Sequence, residues 1–301
     1  MYDIIIVGAG PAGLTAAIYA RRAQKSVLVL EAKSYGGQII NTLDIENYPV
    51  EEHISGFDFA TKLYKQTKAL GAEIVFEKVV DINDLGNTKE VVTTKNKYSC
   101  KAVIIATGSE DRKLGLSNED ELVGKGISYC ATCDGAFYKG KTVAVVGGGN
   151  TALEDALYLS DIASKVYLIH RRDEFRAEET TVEQLKKKEN VEFIYNSTVT
   201  KLNASERLES IEVTNKDGSV RTIEVNGLFV AVGRIPENQN FAKLIELDNA
   251  GYVKAGEDCK TTCKGIFTAG DNRIKEVRQL VTATGDGAVA ATNAVKYINN
   301  L

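Results

Sequence analysis

Tryptophan is absent from this chain of 301 residues, methionine occurs once and histidine twice. The histidines, His53 and His170, are too few and too far apart to build a histidine metal site, so no metal is expected. There is no basic excess: the formal net charge is −4. No stretch interleaves basic with aromatic side chains, which excludes the electrostatic footprint of a nucleic-acid binder. No apolar run approaches the ~18–20 residues of a membrane span. Met1-Tyr2-Asp3-Ile4 leads directly into a strand pattern and leaves no room for a signal peptide, so the expected address is the cytoplasm. The five cysteines are an odd number in a long chain without such a signal, which argues against a structural disulfide framework. Any disulfide here is expected to be catalytic. Hydrophobic residues make up 44% and charged ones 26%, as in a globular chain with a real core. The length suits two domains of ~100–200 residues.

Against these absences stand two glycine turns. Ile4-Ile5-Ile6-Val7 is a short apolar β-branched run, the pattern of a buried parallel strand. Gly8-Ala9-Gly10-Pro11-Ala12-Gly13 follows, then an alanine-rich helical stretch from Leu14 to Arg22, and a second strand, Ser26–Leu30, ending at Glu31. In Gly8-x-Gly10-x-x-Gly13 the first glycine permits the tight turn. The second lets backbone approach a pyrophosphate, and the third lets helix and strand pack closely. The helix start near Pro11 turns its free N–H groups toward the phosphates. Glu31 is placed to accept hydrogen bonds from a ribose 2′-OH and to repel a 2′-phosphate, which suits FAD or NAD.

The same grammar returns at Thr142–Val146, Gly147-Gly148-Gly149-Asn150-Thr151-Ala152, a helix from Ala152 to Ser160, and the strand Lys165–Ile169. Gly13 to Glu31 and Ala152 to His170 are both eighteen residues apart. In place of the acid stand His170-Arg171-Arg172, followed by Arg176. Arg171 and Arg176 can fork onto a 2′-phosphate, and two such contacts supply on the order of 10²–10⁴-fold preference for NADPH. The bland alternative is a solvated basic helix start, with Asp173, Glu174 and Glu178 at hand to pair with these arginines.

Two further apolar strands, Ala102–Gly108 and Gly227–Gly233, each close on a glycine. Gly265–Asp271 forms another strand ending in Gly270-Asp271, and a last helix is expected from Gly285 to Ile298. The fold class is α/β with two Rossmann-like dinucleotide-binding domains, the second inserted in the first. The expected bounds are 1–113 with 243–301 for the first and 114–242 for the second. The chain then crosses twice between domains, near 110–117 and 234–244, which makes a natural hinge.

Between the two turns lies Cys130-Ala131-Thr132-Cys133, followed by Asp134. Two cysteines at this spacing can close a small disulfide ring or lower one thiol's pKa toward a reactive value. The alternative is half a zinc site, with Cys259-Lys-Thr-Thr-Cys263 as partner. That pair has a longer spacer and lies in the other expected domain. Cys100, Cys259 and Cys263 are read as small apolar fillers.

With these residues in hand, the chain closely resembles the bacterial low-molecular-weight NADPH-dependent thioredoxin reductases. The likeness runs over essentially all of its length. It rests on Gly8–Gly13, Gly36-Gly37-Gln38, Cys130–Gly135, Gly147–Ala152, His170–Ala177, Gly270-Asp271 and Arg278-Gln279. The resemblance implies FAD along the first domain, approached by Gly36, Gly37, Gln38 and Asn47. Asp271 would hydrogen-bond the ribityl or pyrophosphate region, and Arg278 and Gln279 would lie near the flavin ring. It implies NADPH on Gly147, Gly149, Asn150, Thr151, His170, Arg171, Arg172 and Arg176. It further implies that Cys133 faces the flavin, that Cys130 attacks the substrate disulfide, and that Asp134, its pKa raised by its surroundings, protonates the departing thiolate. The implied acceptor is thioredoxin or a thioredoxin-like protein, the implied assembly a homodimer, and the inserted domain would rotate between half-reactions. Three other readings remain: a ferredoxin-linked flavin thioredoxin reductase, a peroxiredoxin-reducing flavoprotein, and a non-enzymatic flavin/disulfide redox sensor.

Overall fold

A computed structural model describes residues 1–42 and 44–301. The chain opens with β1 (Tyr2–Val7), α1 (Pro11–Arg22) and β2 (Val27–Glu31). Then come α2 (Gly56–Ala69), β3 (Glu73–Phe76), β4 (Val79–Asp84), β5 (Lys89–Thr93), β6 (Lys97–Ile105) and β7 (Ser109–Asp111). The middle holds β8 (Ile127–Ser128), α3 (Ala131–Asp134), β9 (Thr142–Gly147), α4 (Asn150–Ser160), β10 (Lys165–Ile169), α5 (Glu179–Lys186) and β11 (Val191–Ile194). It continues through β12 (Ser197–Ala204), β13 (Leu208–Asn215), β14 (Val220–Glu224) and β15 (Gly227–Ala231). The last elements are β16 (Arg234–Pro236), β17 (Ile266–Thr268) and α6 (Leu280–Asn299).

These form two compact units, Met1–Glu110 with Ile235–Leu301, and Asp111–Arg234. Both boundaries fall earlier in the chain than the sequence suggests. Phe241 and Ile245 are the reason for the second: they are buried in the same apolar cluster as Ile5, Leu28 and Ile105 of the first unit. The crossings β7 and β16 pair as a two-stranded ribbon. The Arg112 N–H donates to the Gly233 carbonyl at 2.9 Å, and Arg234 Nε donates to Asp111 Oδ1 at 2.6 Å.

In the first unit the sheet order is β3-β2-β1-β6, all parallel, and the far edge of β6 serves two further strands. Its C-terminal half pairs in parallel with β17, and its N-terminal half pairs antiparallel with β5, which in turn pairs with β4. The apolar run Ile4–Ile6 is wholly buried because both faces of the sheet are covered. One cover is the pair α1 and α6, whose Ala16, Ala17, Ala20, Ala290, Ala291 and Ala294 share one buried cluster. These small side chains let the two helices approach closely, and a Cβ on Gly287 would collide with the Ala12 carbonyl. Helix α6 begins at Leu280, earlier than the Gly285 start that the sequence suggests. The cause is a capping box, in which Gln279 and Thr282 satisfy each other's backbone N–H groups.

In the second unit the parallel sheet runs β11-β10-β9-β15-β8, with a separate antiparallel sheet β12-β13-β14. Ala152, Leu153, Ala156 and Leu159 of α4 pack with Val143, Val145, Leu168 and Phe229 on one face. Ile211, Val213 and Ile223 of the antiparallel sheet pack with Ala144, Val146 and Leu228 on the other. The repeated strand–turn–helix–strand units agree in pairing as well as in spacing. Ile4 lies beside Val27 in the first and Val143 beside Val166 in the second. Among the described residues no helix is long and apolar enough to cross a membrane.

Candidate active site

In the first unit the turn between β1 and α1 is closed by glycine where nothing else fits. Gly8 has φ +109°, and a Cβ there would strike the Ala106 carbonyl; a Cβ on Gly13 would strike the carbonyl of Gly8. Gly10 caps α1 in extended backbone without a side-chain bond, and Pro11 follows at the first helical position. The helix therefore begins with amides open to an acceptor in front of it. Glu31 lies at the end of β2, where its carboxylate accepts the Ala9 N–H at 2.7 Å and the Lys33 N–H at 2.8 Å. A carboxylate offers about four lone-pair positions, so acceptor capacity remains for ribose hydroxyls.

The segment after Glu31 returns to this turn. The Gly36 N–H donates to the Ala9 carbonyl at 2.8 Å, and a Cβ on Gly37 would lie 3.3 Å from Gly10 Cα. Gln38 is exposed beside them. Asn47 reaches Gln279, its Nδ2 donating to Oε1 at 3.2 Å. Gln279 caps α6, and its neighbour Arg278 lies over the Tyr252 ring at 4.4 Å, with Nε buried and, among the described residues, lacking a hydrogen-bond partner. Gly270 packs on Ala12, where a Cβ would come within 2.9 Å of the alanine Cβ, and Asp271 follows it. Eleven of the fourteen residues expected to meet FAD are thus tied by these contacts to the first turn or to the start of α6: Gly8, Gly10, Pro11, Ala12, Gly13, Glu31, Gly36, Gly37, Asn47, Gly270 and Gln279. The open helix start, the bare backbone cradle at Gly10 and Gly37, and the unpartnered Arg278 Nε fit a dinucleotide with a pyrophosphate and a polar ring system.

In the second unit, the Cβ position of Gly149 faces open space, and Asn150 and Thr151 open α4, both exposed. Gly147 ends β9. His170 behaves differently from its arginine neighbours. Its ring fills the space where Gly148 would carry a Cβ, stacks on Phe175 at 5.2 Å, and meets the Glu174 carbonyl through Nε2 at 3.1 Å. Burial pushes its pKa down, so it supports the turn as a neutral ring. Arg176 is fastened to the same turn by its backbone, its N–H donating to the Gly148 carbonyl at 2.7 Å. Arg171, Arg172 and Arg176 are all exposed. Among the described residues none of the three is ion-paired to Asp173, Glu174 or Glu178, so their charge is left to solvent or to a ligand. An exposed, uncompensated basic group beside a phosphate-binding turn fits the 2′-phosphate of NADPH.

Cys130 and Cys133 form a disulfide, with Cα atoms 5.3 Å apart. Cys130 is the extended cap residue and α3 is a single turn, which brings the fourth residue back over the first. Gly135 lets this turn sit against α4, since a Cβ there would lie 2.8 Å from the Tyr158 ring. Asp134 ends the turn. Its Oδ2 accepts a hydrogen bond from Ser128 Oγ at 2.6 Å, and Ser128 Oγ in turn accepts the Cys130 N–H at 3.1 Å. Burial pushes the Asp134 carboxyl up, and the bond from Ser128 only partly opposes it. A carboxyl held toward its protonated form beside a disulfide is equipped to donate a proton to a leaving sulfur. Tyr129 fixes the approach to the pair, its hydroxyl donating to the buried Glu119 at 2.8 Å. Neither Ser128 nor Glu119 is visible as a site residue in sequence. Ser128 ends a two-residue strand whose place is set by pairing with β15, and nothing local marks it. Of the other cysteines, Cys100 and Cys259 are buried fillers. Cys263 is only half-buried and lies 3.4 Å from Asp84 Oδ2.

Comparison with known proteins agrees with this geometry. The family model for pyridine nucleotide-disulphide oxidoreductases matches residues 2–287. A thioredoxin reductase of Listeria innocua is 44% identical over 303 residues, spanning all of this chain and 95% of that protein. A thioredoxin reductase of Bacillus subtilis is 42% identical over 304 residues, spanning all of this chain and 96% of its own. The crystal structure of thioredoxin reductase from Streptococcus pyogenes superposes with a TM-score of 0.95 at 39% identity, covering 100% of this chain and 99% of that one. With a redox disulfide, a half-buried acid beside it and two glycine-rich dinucleotide turns in one polypeptide, the chain belongs to the pyridine nucleotide-disulphide oxidoreductases and, within them, to the thioredoxin reductases.

Proposed function

We propose that this enzyme carries electrons from NADPH, through FAD on the first unit, to the Cys130–Cys133 disulfide and on to thioredoxin or a thioredoxin-like protein. FAD, when bound, supplies the conversion of a hydride into the two electrons that a disulfide takes up. The remaining steps belong to the chain. Two electrons and two protons convert Cys130–Cys133 to a dithiol. The Cys130 thiolate attacks the partner's disulfide, one partner sulfur leaves, and Asp134 gives it a proton. Cys133 then displaces the partner from Cys130, which closes the ring again and releases a reduced dithiol. The disulfide and the NADPH turn lie on the same unit, and the flavin turn on the other. The reading therefore includes rotation of the inserted unit on the β7–β16 ribbon between half-reactions. It extends to a homodimer in the cytoplasm, both carried by the likeness to the family.

The observation that carries this reading is the disulfide with its half-buried, Ser128-bonded Asp134 in the same unit as an uncompensated arginine cluster. The test is NADPH-dependent reduction of a thiol reagent, with and without thioredoxin, alongside the visible spectrum before and after NADPH. Bleaching of a flavin band together with thioredoxin-dependent activity is expected. A colourless protein, or thioredoxin turnover that survives replacement of both cysteines by serine, would overturn it. A flavin that NADPH leaves oxidised points instead to ferredoxin as donor.

A further inference from the structure

Beside the Gly270-Asp271 element lies a buried ionic cluster that neither the glycine turns nor the thiol chemistry uses. Asp286, on α6, is buried. Its Oδ2 accepts the Gly270 N–H at 2.9 Å, Arg273 Nε at 2.8 Å and Lys275 Nζ at 2.9 Å. Its Oδ1 accepts Arg273 Nη2 at 2.8 Å. Four donated bonds, three of them on Oδ2, commit this carboxylate to the protein's own groups. The side chains of Arg273 and Lys275 are only 2% and 5% exposed. Burying three charged groups is weak evidence of stabilisation, because desolvation offsets much of the attraction. The cluster sits where the backbone must be held in one shape.

That shape is unusual. Gly270 has φ +88° and packs on Ala12 at the start of α1, where no side chain could be added. On the far side of Asp271, Asn272 donates from Nδ2 to the Ile105 carbonyl at 3.1 Å. Asn238 Nδ2 donates to the Asn272 carbonyl at 2.7 Å. Asp271 therefore stands between two pinned residues, and the pin on its N-terminal side is the Asp286 carboxylate. The next residue of α6, Gly287, lies against Ala12 as well. Asp286 thus joins α6, the Gly270 turn and the phosphate-binding end of α1.

We propose that Asp286, braced by Arg273 and Lys275, is a positioning residue for the flavin: it holds the Gly270 backbone so that Asp271 is presented to FAD. This rests on the reading that FAD lies along the first unit. The test uses the holoenzyme and follows FAD release on dilution by the rise in flavin fluorescence, for Asp286→Asn, Asp271→Asn and the double variant. Asp286→Asn is expected to speed release at least about tenfold. Combined with Asp271→Asn, it should add less than about twofold to the effect of Asp271→Asn alone, because residues that act through one contact are not additive. A change in the visible band shape of bound flavin should accompany the single substitution. Loss of structure alone would lower the melting temperature and multiply the two effects. Wild-type release from Asp286→Asn, independent effects of the two substitutions, or no effect of Asp271→Asn would each overturn the proposal. If none of the proteins, wild type included, carries flavin, the functional reading itself fails. Arg273→Gln combined with Asp286→Asn lowers the uncompensated buried charge and is read in the same cycle, so that poor folding of the single variant leaves the outcome decided.

Discussion

Replacing Arg171 and Arg176 by glutamine removes two exposed cations next to the second glycine turn and leaves its backbone intact. The Arg176 N–H that bonds Gly148 belongs to the main chain and survives the substitution. A well-placed charged hydrogen bond is worth about ten- to a hundredfold in binding, and an exposed one about tenfold or less. Both side chains are exposed, which sets the expectation at the lower end for each. The double variant should raise KM for NADPH by about 10²-fold. KM for NADH, which has no 2′-phosphate, should move by less than about twofold. The assay is steady-state reduction of a thiol reagent at varied NADPH and NADH, with kcat determined separately for each cofactor. Raising the salt concentration should weaken NADPH binding to the wild type and scarcely affect the double variant. Equal rises for NADPH and NADH would show that the arginines serve the fold of the turn and not the phosphate.

Asp134→Asn should leave reduction of the flavin by NADPH intact and lower disulfide turnover by about 10²–10⁴-fold. The wild type should lose that step as pH rises through the raised Asp134 pKa, and the variant should lack this limb. Asp155, on α4, is pushed up to about 7, chiefly by burial and then by Glu154, with Arg234 opposing. The folded state then holds this proton more tightly than the unfolded chain, so stability falls as pH rises from about 4 to about 7. Asp155→Asn should flatten that slope in denaturant titrations across the range, and an unchanged slope would refute the assignment. Gly13→Val places a side chain against the Gly8 carbonyl; it should destabilise the first unit by about 1–3 kcal/mol and release FAD, as seen by melting and by loss of the visible band.

Much of the fold is legible in the sequence because its repeated unit carries its own punctuation. The apolar runs at Ile4–Val7 and Thr142–Val146, the glycine turns and the strand ends at Glu31 and Ile169 are each set by local chemistry. The antiparallel strands β4–β5 and β12–β14 give no such signal: they alternate polar and apolar residues without a fingerprint. The start of α6 is hidden in the sequence for a similar reason. Gln279 and Thr282 form a weaker-looking box than the Ser/Thr and Glu pattern that marks most helix starts, and the glycine at 285 suggested a later beginning. At the site, the residues that carry chemistry are readable by type and spacing, whereas those that hold them are not. Asn238 and Asp286 reach their partners only through tertiary structure, and Ser128 is aimed at Cys130 and Asp134 by a strand that pairs with β15. His170 shows the opposite case: the resemblance places it among the NADPH contacts, and only the tertiary structure shows its ring packed beneath Gly148.

That histidine has a practical consequence for anyone wishing to alter the coenzyme choice of this enzyme. With an imidazole wedged under the loop and the Arg176 amide clipped over it, the loop is braced from beneath and from the side by groups of the protein itself. Editing the loop itself would undo both supports together and forfeit binding of either coenzyme. The guanidiniums of Arg171 and Arg176, proposed to meet the 2′-phosphate, project by contrast from scaffolding that stays in place without them. Selectivity for the phosphorylated or the plain dinucleotide can therefore be retuned there, one side chain at a time, with the rest of the second unit left as it is.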